Sequence, residues 1–183
     1  MKLKIPNILT IGRIIIVPIF VVTFFIPGFF GDLIPFFLFV LASFTDYLDG
    51  YIARKKNQNS DQGALLDLLS DKIFVSVLLI WMTFFFDSLL ILVSTLLIIS
   101  REITVSYLRL YLVSKSFSID DVKADVLGKL KTSFQMIGLA FVLISPYFSD
   151  LVFYTSAIFL MLSAILSWAS LFNYFKKWHE NQN

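Results

Sequence analysis

Four aspartates stand in apolar surroundings: Asp46 and Asp49 in one long hydrophobic run, Asp67 and Asp71 in the next. An ionised side chain is expensive in hydrocarbon, so such residues normally face a bundle interior or a water-filled cavity and mark function. The spacing agrees. Asp46, Asp49, Gly50 and Ala53 fall at i, i+3, i+4 and i+7, on one helical face. Gly63, Asp67 and Asp71 fall at i, i+4 and i+8 on the following helix. A helical hairpin turning near Asn57 to Asp61 brings the two faces together. The chain has no Cys and one His, so the converging carboxylates form an oxygen-rich site suited to Mg²⁺ or Mn²⁺ over Zn²⁺. A pair of such ions suits phosphoryl chemistry, because it neutralises a diphosphate and stabilises both attacking and leaving oxygens. Gly50 and Gly63 remove bulk where a ligand approaches the backbone.

The elements that must hold these residues are membrane spans. Hydrophobic residues make up 58% of the 183 and charged residues 15%, against about 25% in soluble domains. Mean hydropathy is +0.84. At about 20 residues per span the length accommodates about six helices. The expected fold is an all-α integral membrane protein, a single domain over residues 1–183, with six transmembrane helices and a short N-terminal interfacial helix. The interfacial segment covers Ile5 to Thr10, with Pro6 at its start. Spans are expected over Gly12 to Phe25, Leu33 to Arg54, Gly63 to Phe86, Leu89 to Leu112, Val122 to Ile144 and Leu151 to Phe175. Turn signals separate them at Pro27-Gly28, Gly31-Asp32, Asp87-Ser88 and Ser145-Pro146. The first apolar run reads as a retained span, since it is long for a signal peptide and no small-residue cleavage site follows.

Basic residues set the orientation. Lys2, Lys4 and Arg13 lie near the N-terminus, Arg54, Lys55 and Lys56 beside the second-to-third loop, and Lys176 and Lys177 near the end. Arg101, Arg109, Lys115, Lys123, Lys129 and Lys131 surround the fourth-to-fifth connection. The three opposite connections hold Asp32, Asp87 and Asp150 and no Lys or Arg. This asymmetry places both termini, and the Arg54 end of the carboxylate helix, in the cytoplasm.

The run Asp46-x2-Asp49-Gly50-x2-Ala53-Arg54-x8-Gly63-x3-Asp67-x3-Asp71 resembles the complete signature of the CDP-alcohol phosphatidyltransferases. The resemblance implies that Asp46, Asp49 and Asp67 bind metal, two ions of Mg²⁺ or Mn²⁺, while Asp71 contributes to the metal site and acts as general base. It also implies that Asp49, Gly50, Ala53, Arg54 and Gly63 line the CDP site. Pro6-Asn7-Ile8-Leu9-Thr10-x2-Arg13, Arg101-Glu102-Ile103-Thr104 with Arg109, and Gly128-Lys129-x-Lys131-Thr132-x2-Gln135 resemble segments of the bacterial branch whose acceptor is glycerol 3-phosphate. That likeness implies CDP-diacylglycerol as donor, phosphatidylglycerophosphate and CMP as products, a homodimer, and residence in the bacterial inner membrane. Asn7 and Thr10 either touch the nucleotide or cap and anchor the N-terminal helix. Arg101, Arg109, Lys129 and Lys131 are candidates for the acceptor's phosphate, since Arg offers a bidentate fork and Lys a point charge.

Blander readings compete. The Asp set can serve ion conduction in a carrier or channel, and the signature describes the donor side, so phosphatidylglycerol, serine or an inositol phosphate are alternative acceptors. Lys129 and Lys131 stand about 200° apart on a helix, so one of them can simply snorkel. Phe84 to Phe86 read as lipid-facing or packing groups, and Tyr174 and Trp178 as an interfacial belt.

Overall fold

The computed structural model describes the backbone of residues 5–55, 61–114 and 126–180, and side chains within 12–28, 33–46, 69–108 and 127–173 together with Phe175. Among the described residues six α-helices follow one another: α1 (Ile5–Thr23), α2 (Phe29–Lys55), α3 (Asp61–Phe86), α4 (Leu89–Ser114), α5 (Val126–Ile144) and α6 (Asp150–Glu180), with a 3-10 turn at Ser145–Tyr147. Among the described residues, four stretches are long and apolar enough to cross a membrane: Leu69–Phe86, Leu89–Leu108, Leu127–Tyr147 and Asp150–Asn173. Shorter apolar stretches occupy Gly12–Thr23 and Leu33–Asp46. α2 itself runs 27 residues, about 40 Å.

Two boundaries differ from expectation. The interfacial segment and the first span form one uninterrupted α1, because Gly12 weakens a helix without breaking its hydrogen-bond ladder. Gly31-Asp32 lies inside the first turn of α2, where an acidic residue suits the unsatisfied N–H groups. The chain turns earlier, through Gly28 at φ 93, a left-handed conformation that glycine adopts without strain. The break at Asp87-Ser88 is as expected, with Asp87 at φ 44 and the Leu92 N–H donating to the Ser88 carbonyl to open α4. The polar loops expected around residues 56–60 and 115–121 lie outside the described residues.

The chain forms two compact units: Met1–Trp81 with Leu143–Phe148, and Met82–Val142 with Ser149–Asn183. In the first, α1 packs on α2. Arg13, Val17, Phe20 and Thr23 recur at helical spacing and are buried, whereas Ile15, Ile19 and Val22 point outward, as lipid-facing residues do. Phe24 and Phe25 of the turn after α1 each lie 5.8 Å from the Trp81 ring, and Phe39 of α2 stacks on Phe74 of α3 at 6.2 Å.

In the second unit, α4 packs on α6. The buried stripe of α6 is mostly small residues, Ser156, Ala157, Ser163, Ala164, Ser167 and Ser170, with Leu160 and Leu171 among them. Small residues let helix backbones approach where lipid supplies no hydrophobic drive for association. Gly138 of α5 shows how close this is: a Cβ there would stand 2.9 Å from Leu160 Cγ and 3.2 Å from its backbone nitrogen. Polar ties run between the helices as well. Trp168 Nε1 donates to the Leu97 carbonyl at 3.1 Å, and Ser163 Oγ donates to the Lys131 carbonyl at 2.8 Å. Of the Phe run, Phe84 and Phe85 are exposed and Phe86 packs on Phe153 at 5.4 Å, so both readings of that run hold.

Candidate active site

Asp46, Asp49, Gly50 and Ala53 lie on the unbroken backbone of α2, and Gly63, Asp67 and Asp71 on that of α3, so the helical register expected from the spacing is present. Side chains are described for Asp46 and Asp71. Those of Asp49, Gly50, Ala53, Arg54, Gly63 and Asp67 lie outside the described residues, as do those of Asn7 and Thr10 on α1 and Arg109 on α4. Among the described residues, no group of three potential metal ligands gathers.

The two described carboxylates meet at one cation. Arg13 Nη2 lies 2.7 Å from Asp46 Oδ1, and Arg13 Nη1 donates to Asp71 Oδ1. The same Nη1 donates to Ser70 Oγ at 3.2 Å. One guanidinium therefore ties α1 to both α2 and α3, using its fork to serve two acids at once. Arg13 is 1% exposed, whereas the side chains of Asp46 and Asp71 are 42% and 46% exposed. The cation closes the protein side of the pair, and the acids keep an open side.

This arrangement fits a bound cation. Two carboxylates from different helices repel unless positive charge lies near them, and here the chain supplies it. Their donors are hard oxygens, the set that Mg²⁺ and Mn²⁺ prefer. The residues that would hold such an ion are Asp46 and Asp71, joined by Asp49 one turn along α2 and Asp67 one turn back on α3.

The second unit holds a separate cluster. Lys131 Nζ donates to Glu102 Oε1, and Arg101 Nη1 reaches the same oxygen at 3.1 Å. Arg101 also donates through Nε to the Ser167 carbonyl at 2.9 Å and through Nη2 to Ser170 Oγ at 3.3 Å. Arg101 and Lys131 are both buried. These two cations share one carboxylate, so the trio carries surplus positive charge. Of the four basic candidates, the structure brings Arg101 and Lys131 together and leaves Lys129 exposed on another side of α5, as their helical phase demands.

Two participants were hidden in the sequence. Arg13 reads there as a topology signal, and Glu102 as part of a motif with no role of its own. A signal existed for Arg13, since a basic residue well inside an apolar helix needs a partner somewhere.

The sequence pattern described as CDP-alcohol phosphatidyltransferase matches residues 3–172. The chain is 35% identical over 175 residues to a CDP-diacylglycerol--glycerol-3-phosphate 3-phosphatidyltransferase of Wigglesworthia glossinidia brevipalpis, covering 96% of this chain and 94% of that one. It is 35% identical to the protein of that name from Sodalis glossinidius and 32% identical to that from Escherichia coli K12, each over 174 residues, 95% of this chain and 94% of the relative.

Proposed function

The chain belongs to the CDP-alcohol phosphatidyltransferase family, and from that premise we propose that it transfers the phosphatidyl group of CDP-diacylglycerol to sn-glycerol 3-phosphate, giving phosphatidylglycerophosphate and CMP. The observation that carries this reading is the meeting of Asp46 and Asp71, from two helices of the family signature, at one guanidinium. A carrier or channel has no comparable support, because the relatives are named as enzymes.

Each chain residue then has a task. Asp46, Asp49, Asp67 and Asp71 would hold the divalent metal, two ions of Mg²⁺ or Mn²⁺. When bound, the metal supplies positive charge that stabilises the diphosphate and the departing nucleotide. Asp71 accepts the proton of the acceptor's primary hydroxyl. The freed oxygen bonds to the lipid-side phosphorus, the bond from that phosphorus to the bridging oxygen breaks, and CMP departs with the electron pair. Gly50, Ala53, Arg54 and Gly63, with Asn7 and Thr10, receive the CDP group. Arg101 and Lys131, with Arg109, receive the phosphate of glycerol 3-phosphate, and the surplus charge of the Arg101–Glu102–Lys131 trio supports this. Lys129 falls outside that role because its side chain points elsewhere.

The reading extends to placement. Six spans, with the basic connections on the cytoplasmic side, put the acyl chains in the bilayer of the inner membrane while cytidine and acceptor arrive from the cytoplasm. The same family likeness supports a homodimer.

The test is an acceptor panel: purified protein, Mg²⁺ or Mn²⁺, CDP-diacylglycerol and, in turn, glycerol 3-phosphate, phosphatidylglycerol, serine and an inositol phosphate. CMP release with glycerol 3-phosphate is the expected result. Release with another acceptor alone would reassign the substrate.

A further inference from the structure

Arg13 takes no part in the chemistry assigned above, yet it is a buried cation of the first unit tied to two acids. It is 1% exposed and contacts Asp46, Asp71 and Ser70. We propose that Arg13 is the resident counter-cation of the carboxylate site: it holds Asp46 and Asp71 together in the metal-free chain, and its charge opposes divalent-metal loading. This rests on the metal-site reading under Proposed function.

Three observations support the role. First, the guanidinium uses different nitrogens for the two acids, so it fixes the distance between α2 and α3 as well as their charge. A lysine ammonium, a compact point charge, does not match that fork. Second, Ser70 precedes Asp71 and receives the same nitrogen, which limits the directions from which the guanidinium can approach. Third, Arg13 lies on the buried side of the acids while their open sides remain about half exposed. Metal enters from one side of a pair already neutralised from the other. A buried charge held this way is costly to strand, so the acids keep it in place when no metal is bound. Arg13 is a positioning residue: it touches neither lipid nor nucleotide in this account, and acts through the two acids.

The inference predicts opposite effects on metal binding and on metal-free stability. Mn²⁺ binding to detergent-purified protein, without lipid substrate, is read from the electron paramagnetic resonance signal of free Mn²⁺. Thermal unfolding is followed in EDTA and in saturating Mn²⁺. Arg13→Gln is expected to bind Mn²⁺ roughly tenfold more tightly, because a positive charge beside the site is gone. It is also expected to unfold earlier than the parent in EDTA, and to recover most of that loss with Mn²⁺. Unchanged or weaker Mn²⁺ binding, or a loss of stability that Mn²⁺ does not repair, would overturn the inference. Should Arg13→Gln fail to fold, Arg13→Lys decides. It keeps the charge without the bridge, so its unfolding temperature in EDTA should fall and its gain from Mn²⁺ should exceed the parent's; an equal gain counts against the proposal. Asp46→Asn and Asp71→Asn separate the two levels. If the parent binds no Mn²⁺, or these variants bind it as the parent does, the metal site and the Arg13 role fall together. If they lose Mn²⁺ while Arg13→Gln matches the parent, the Arg13 role alone falls.

Discussion

Asp71 accepts from the guanidinium of Arg13, which also donates to the hydroxyl of Ser70. Removing its charge takes away the proposed base, while Asp46 still partners the buried guanidinium. Asp71→Asn is expected to lower the rate of CMP release by about 10²- to 10⁴-fold, the usual range for a lost general base. Size-exclusion elution should be unchanged, and a variant that keeps its rate would end the assignment. In the second unit, Lys131→Met removes a charge-assisted contact to phosphate and should raise KM for glycerol 3-phosphate by roughly 10- to 100-fold. KM for CDP-diacylglycerol should hold, and Lys129→Met should change neither; steady-state kinetics with each substrate varied tests all three. The approach of Asp46 to Asp71 was legible, because helical spacing sets each on a polar face of its helix and the hairpin brings the two faces together. The choice between Lys129 and Lys131 was half legible: phase says they diverge, but only the position of Glu102 says which one turns inward. Arg13's partners were not legible, since they lie on two later helices and no local rule links them.

At the scale of the element, close helix approach has a single most sensitive point. Gly138→Val would drive new atoms into Leu160, whose backbone nitrogen cannot move aside without shifting α6. Overpacking of this kind costs about 1–3 kcal/mol, so a clear drop in unfolding temperature is expected for the purified protein. Gly12→Ala is the contrast: nothing lies within 4 Å of a Cβ there, and a helix gains from alanine, so stability should hold or rise slightly. The helices themselves were readable, since apolar runs and the Asp87-Ser88 and Ser145-Pro146 breaks fix most boundaries. The continuity of α1 was not, because the change from amphipathic to apolar pattern at Gly12 resembles an element end while the backbone ladder runs through it. The same confusion arose at Gly31-Asp32, where turn-forming residue types occupy a helix's first turn.

For the whole molecule, the distribution of charge makes the orientation testable. The chain has no Cys, so a single introduced thiol labels without background. Asp87→Cys and Ser149→Cys are expected to react with a membrane-impermeant reagent applied from outside the inner membrane, and Lys55→Cys only after the membrane is opened. The reverse pattern would invert the topology. Oligomeric state is read from light scattering on the detergent-corrected mass, with a dimer expected. Four helices identify themselves as spans by length and composition. α2 runs 27 residues, long enough for a span, and carries Asp46 and Asp49 in its C-terminal half.

The Arg13 bridge also bears on how the chain is made. Asp46 leaves the ribosome well after Arg13, and Asp71 follows Arg13 by 58 positions, several seconds at about 5–20 residues per second. During that interval a buried-type cation on α1 travels without its full set of partners. Assembly of the first three helices is thus ordered by synthesis: α1 and α2 can pair through Asp46, and the bundle closes when α3 delivers Asp71. Nascent chains arrested before α3 should retain α1 in the bilayer less firmly than chains arrested after it, measured by alkaline extraction, and Asp71→Asn should narrow that difference.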